Sequence, residues 1–168
     1  MTAVMTLGET MRACRLLLTF AAATACLALP CRAEDTVELQ PSFNAELARA
    51  TGADDHGMRR YVFVLLRTGP KPLTAGPERD EVFRGHFANM KRLAEEGKLV
   101  LAGPFDGSDG WRGMFVFAVA DIDEAKRLTA TDPAIASGEL AAEYHRYYGS
   151  AALMQVNALH SRLARKGF

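Results

Sequence analysis

Hydrophobic runs of strand length recur four times along this sequence, and between them lie stretches whose apolar residues return every three or four positions. The runs are "RYVFVLLRTG" (60–69), "KLVLAGPF" (98–105), "WRGMFVFAVA" (111–120) and "ELAAEYHRYYG" (139–149). Their β-branched and aromatic content predicts strands. After the first run, "PKPLTAGPE" carries three prolines and a glycine and reads as a loop. A helix follows over 78–96, with Phe83, Phe87, Met90 and Leu93 at helical spacing and Gly97 suited to its C′ position. Gly103-Pro104 stops the second strand, and "DGSDG" (106–110) makes a hairpin turn. Asp121 suits the N-cap of a second helix, and "DPAIASG" is a short turn or helical step. Ser150 can cap a final helix that sets Leu153, Val156, Leu159 and Leu163 on one face.

The order strand, helix, strand, strand, helix, strand predicts an α+β, ferredoxin-like βαββαβ domain over 60–149, preceded by an extension (34–59) with a short helix at 42–52 and followed by a C-terminal helix (150–168). The four strands form one antiparallel sheet with both helices on one face. "YVFVLL" and "MFVFAV" are apolar at every position, so both sheet faces require cover. The C-terminal helix can supply some of it. A second sheet, from another copy of the chain, supplies it more completely, which predicts a homodimer.

The first 33 residues change the picture. Arg12 and Arg15 precede the apolar run 16–29; Pro30 follows, and "CRA" puts small residues before Glu34. This is the pattern of an export signal, with cleavage before Glu34 and Met1 or Met11 as the start. The apolar run is short for a membrane span. A retained anchor helix is the alternative; a mature chain without it has no stable membrane insertion. Cleavage removes three arginines and one glutamate from 20 basic and 20 acidic residues, leaving 17 against 19. That balance points neither to nucleic acid nor to an anionic membrane surface. All three cysteines (Cys14, Cys26, Cys31) depart with the signal, so the mature chain holds no thiol nucleophile, thiolate metal site or redox pair. No glycine-rich phosphate loop, His/Glu metal spacing or serine nucleophile motif is present.

The residue that stands out is His86. It lies three after Phe83 and four before Met90, on the apolar face of its helix, while "ERDEVFR" reads as a solvated face. An inward histidine is either a core residue with a satisfied hydrogen bond or a working group at a cleft edge. Asp132 in "TDP" suits an N-cap followed by Pro at N1, a structural role compatible with orienting an imidazole. Gly103 and Pro104 either turn the chain or let backbone approach a ligand beside His86. Trp111, Tyr144, His145 and Tyr147 read as core or interface aromatics, of which Trp111 and Tyr144 are candidates to line a pocket. His56 and His160 read as surface residues.

Over residues 60–148 the sequence resembles the YCII-related family, small dimeric α+β barrels. The resemblance rests on "YVFVLLRTGP", "HFANMKRLAEEGKLVLAGPF" and "TATDPAIASGELAAEYHRYY" taken together. It implies a cleft where a His and an Asp pair, at positions matching His86 and Asp132. One family member is a dehydrochlorinase acting on a chlorinated hydroxyquinol, and muconolactone isomerases and small monooxygenases share the barrel. A carboxylate on one imidazole nitrogen fixes the tautomer, and the other nitrogen can take and return a proton. The expectation is therefore a cofactor-independent and metal-free lyase or isomerase for a small cyclic or aromatic ligand. The alternative is a non-catalytic exported module that binds a small molecule or a partner through the same fold.

Overall fold

The computed structural model describes residues 42–166; the expected signal at 1–33 lies outside the described residues. Helix α1 (Ala45–Thr51) begins where the Asn44 side chain accepts the Leu47 amide at 2.9 Å, and it ends at Gly52 with φ 67°. Strand β1 (Met58–Thr68) then leads into α2 (Pro77–Glu95), which has Pro77 in its first turn and Gly97, φ 68°, just past its end. Strands β2 (Leu99–Pro104) and β3 (Trp111–Phe117) form a hairpin across a short 3-10 turn. Helix α3 (Ile122–Thr129) is capped by Asp121, whose side chain accepts the Glu124 amide at 2.8 Å. A four-residue helix α4 (Pro133–Ala136) precedes β4 (Leu140–Ser150).

The strands lie in the order β2-β3-β1-β4, every neighbouring pair antiparallel. This is the ferredoxin-like α+β arrangement that the element order predicts. β1 is central, and its register assigns the two faces. Val62 lies opposite Phe117 and Arg146, Val64 opposite Phe115 and Tyr144, and Leu66 opposite Gly113 and Ala142. Helices α2, α3 and α4 pack on this face. Val62, Val64, Leu66, Phe115 and Phe117 form one core with Leu93 and Met90 of α2 and Ala125 and Leu128 of α3. Val62, Val64 and Phe117 are almost fully buried, each contributing about 2 kcal/mol of hydrophobic stabilisation.

The alternate positions of β1 point to the other face, where Tyr61, Val100 and Val116 form a second cluster bordered by Phe63 and Met114. The chain itself covers part of this face. Leu153 and Met154 pack on the second cluster from a 3-10 segment (Ala151–Gln155), and α5 (Val156–Leu163) follows. The expected continuous C-terminal helix is thus two pieces. Ser150 caps the first by accepting the Ala152 amide at 3.2 Å. Asn157 of the second donates to the Leu99 carbonyl at 2.8 Å. Beyond that anchor the apolar stripe is uncovered, with Leu159 and Leu163 at 53% and 81% exposure. Only the start of the stripe reaches the sheet.

At the far end of β1 and β4, the Tyr148 hydroxyl donates to Asp54 and ties the loop after α1 to β4. That bond, with help from the Met58 amide, holds the Asp54 carboxyl below its ordinary range. No helix among the described residues is long and apolar enough to cross a membrane.

Candidate functional site

His86 occupies the third turn of α2, where Val82, His86, Met90 and Leu93 turn toward the sheet and Asn89 turns toward Thr131. Its Nδ1 lies 2.7 Å from Oδ2 of Asp132, and the two side chains are 7% and 1% exposed. The carboxylate belongs to the start of α4, where its Oδ1 accepts the Ala134 amide at 2.9 Å. Each carboxylate oxygen therefore has a separate task, one capping the helix and the other facing the imidazole.

Two local features hold these 46-residue-distant partners together. Gly85, next to His86, has no side chain, and a Cβ there would meet Pro133 Cγ at 2.9 Å. The glycine lets α4 settle directly on α2. Three residues after His86, Asn89 accepts the Thr131 hydroxyl at 3.0 Å and Arg92 at 2.7 Å. Thr131 immediately precedes Asp132, so this bond pins the turn that carries the carboxylate.

The imidazole sits among rings. It stacks on Phe115 of β3 at 5.9 Å and 29°, and meets Phe83 and Phe87 edge-on at 5.6 and 5.4 Å. A carboxylate accepts hydrogen bonds, so Nδ1 carries the proton that faces Asp132, and the lone pair of the neutral ring lies on Nε2. Nε2 has no hydrogen-bond partner among the described residues. No buried side-chain nitrogen or oxygen among them lacks a partner, so Nε2 is on the solvent-touching edge of the ring. Phe87, expected in the core, is instead 48% exposed, with its ring 5.4 Å from the imidazole. A residue one position past the inward His86 turns 100° away from the sheet, which carries Phe87 to the rim.

The model of the YCII-related domain matches residues 61–145. The chain belongs to that family. Among curated proteins none matches it. Among solved structures, this YCII-related chain is similar to the 5-chloro-2-hydroxyhydroquinone dehydrochlorinase from Burkholderia phenoliruptrix in complex with 2,5-dihydroxybenzoquinone. The identity is 20% and the TM-score 0.37, covering 51% of this chain and 92% of that one.

The other candidate residues of the YCII-related domain are dispersed. Pro104 lies opposite Gly113, and Gly103 opposite Met114. Pro104 therefore shares the helix-side face with Phe115, two residues along β2 from Ala102, which lies opposite that ring. A Cβ at Gly113 would strike the Gly103 carbonyl at 2.8 Å, so backbone meets backbone here. Tyr144 is on the same sheet face two strands away, packed on the core with its hydroxyl 2.5 Å from that of Thr129. Trp111 lies opposite Arg67 on the other face, 44% exposed and with its ring tilted 52° to that of Phe105 at 5.7 Å. The structure does not bring Trp111 to His86. His145, half exposed, sits 3.0 Å from Glu143 on that other face. Among the described residues no group of three or more His, Cys, Asp or Glu is placed to hold a metal ion.

A charged cluster beside the site has no counterpart in the sequence reading. Glu139, 1% exposed, accepts the Leu73 amide at 2.5 Å and Arg79 Nε at 3.1 Å, and Arg112 approaches to 3.7 Å. Arg79 belongs to the run read as a solvated face, yet its guanidinium lies over the Phe83 ring at 4.5 Å. The only sequence signal for it is spacing, since Arg79, Phe83 and His86 fall at i, i+4 and i+7.

Proposed function

We propose that this YCII-related protein transfers a proton on a small cyclic or aromatic molecule, as a lyase or isomerase that needs no cofactor. The observation that carries this reading is the 2.7 Å pairing of Asp132 with Nδ1, which leaves Nε2 as the basic atom at the ring's open edge. In this reading Nε2 takes a proton from a carbon activated by a neighbouring carbonyl. The electron pair left behind either moves through the ring system, and the proton returns at another carbon, or expels a leaving group. Asp132 steadies the imidazolium in between. Phe83 and Phe87 supply flat apolar contacts suited to a planar substrate.

One observation favours a second reading, a non-catalytic binding module. Two surface cavities, about 310 and 830 Å³, lie around α1 and the start of β1, and neither is lined by His86 or Asp132. The His86→Gln variant separates the two readings. Loss of turnover of a hydroxylated aromatic or a lactone, with melting temperature unchanged, supports proton transfer. A drop of several degrees in a protein that turns over nothing makes His86 a core histidine.

A further inference from the structure

We propose that Arg79 and Arg112 form an anion-recognising subsite beside His86, so that the site selects a planar ring acid over its neutral isostere; this rests on reading His86 as facing the ligand. Glu139 is one carboxylate shared between two guanidinium groups. One arginine suffices to neutralise it, so the cluster keeps a surplus positive charge in a partly desolvated place. Arg79 and Arg112 side chains are 31% and 27% exposed. A surplus charge there is costly until an anion joins it.

The donors are directed for that purpose. Arg79 spends its Nε on Glu139, and neither of its terminal nitrogens is hydrogen-bonded to a described residue. Arg112 makes its approach to Glu139 at 3.7 Å, beyond hydrogen-bond length, and keeps its fork free in the same sense. The β1–β3 register shifts between Leu66 and Arg67, where Leu66 faces Gly113 and Arg67 faces Trp111. Arg112 is the extra residue of that bulge, a device that re-aims a side chain. Glu78 and Asp80 flank Arg79 in sequence but are exposed and turned about 100° to either side of it on the helix.

The path from this charge to the histidine is short and flat. Arg79 covers Phe83, and Phe83 touches His86 edge-on. Seven helical steps separate Arg79 from His86, a rise of about 10 Å between their Cα atoms. In this proposal a one-ring acid sets its carboxylate on the guanidinium fork and its ring along Phe83 toward the imidazole.

The test is an NMR titration of the whole protein with 2-hydroxybenzoate and with 2-hydroxybenzamide, which share shape and differ in charge. The wild type is expected to bind the acid roughly tenfold more tightly. Arg79→Gln should erase most of that preference, and Arg112→Gln part of it. His86→Gln should keep it, because the preference reads the anion and not the proton. Loss of proton transfer with the preference intact, or the reverse, therefore tells the two proposals apart. Should Arg79→Gln fail to fold, the acid must still shift the Arg79 Nε resonance in the wild type. Equal binding of the two probes, no binding of either, a folded Arg79→Gln that retains the preference, or an unmoved Arg79 resonance overturns the proposal.

Discussion

Asparagine at position 132 separates the two tasks of the aspartate. The Ala134 amide, fully buried with its residue, requires an oxygen at the cap, so the new side chain keeps its oxygen there and turns its NH2 toward His86. The opposite orientation would set two donors against each other in a dry site. With an NH2 facing it, Nδ1 must become the acceptor, and the ring proton moves to Nε2. The pair thus survives as a hydrogen bond but loses its charge. A charge-assisted bond contributes about 1.5–3 kcal/mol and a neutral one about 0.5–1.5, so Asp132→Asn should cost about 1–2 kcal/mol. Asp132→Ala also removes the cap and leaves Nδ1 without a partner, and should cost about 3–5 kcal/mol. Urea unfolding measures both costs, and ¹⁵N spectra of the imidazole report which nitrogen is protonated. Under the proton-transfer reading, Asp132→Asn should be folded and inactive, because Nε2 no longer offers a lone pair. A ring that keeps its proton on Nδ1 in Asp132→Asn, or an Asp132→Ala variant no less stable than Asp132→Asn, would refute this account of the site.

Gly85→Ala should push α4 away from α2 and cost about 1–3 kcal/mol by overpacking, read as a lower urea midpoint with an unchanged slope. N-terminal sequencing of protein from its native host should begin at Glu34; a chain that retains residues 16–29 would make this an anchored domain. Sedimentation at micromolar concentration should give twice the mass of the chain, because the second sheet face is apolar over Phe63 and Met114 as well as where the C-terminal segment lies. A monomer would mean that this segment is its whole cover.

The inward place of His86 and the cap at Asp132 are legible because each sits in a local pattern with a physical meaning, an apolar stripe interrupted by an imidazole and a cap followed by proline; that the two side chains pair is implied only by the resemblance to the YCII-related family. The strands were legible because their runs are long and bounded by glycine and proline. Glu139 was not legible. It opens the run "ELAAEYHRYYG" and reads as a strand residue, and its burial depends on Arg79 and Arg112, each contributed by another element. Phe87 misled for the opposite reason: its spacing from Phe83 and Met90 fits a helical face, but that face is narrower here than the pattern allows, with Asn89 taking the inward place. Asn89 itself gives no sequence signal, because a polar residue inside a helix has value only once Thr131 arrives opposite it. Leu159 and Leu163 obey the helical pattern well, and nothing in the pattern says where the sheet beneath them stops.

The double duty of Asp132 gives the site its own clock. The carboxylate is rigid, so a swing that takes Oδ2 off the imidazole also takes Oδ1 off the Ala134 amide. That amide can then exchange its hydrogen with deuterated solvent. Its exchange rate counts those openings of the His86–Asp132 pair in which the carboxylate is the partner that moves, with no ligand present and no reaction in hand. If Ala134 exchanges as slowly as Val64 at the sheet centre, the carboxylate leaves its place only when the whole domain opens, and the acceptor facing Nδ1 is as durable as the fold. If it exchanges sooner, α4 breathes on its own, and the lifetime of the aligned imidazole becomes a property of four residues.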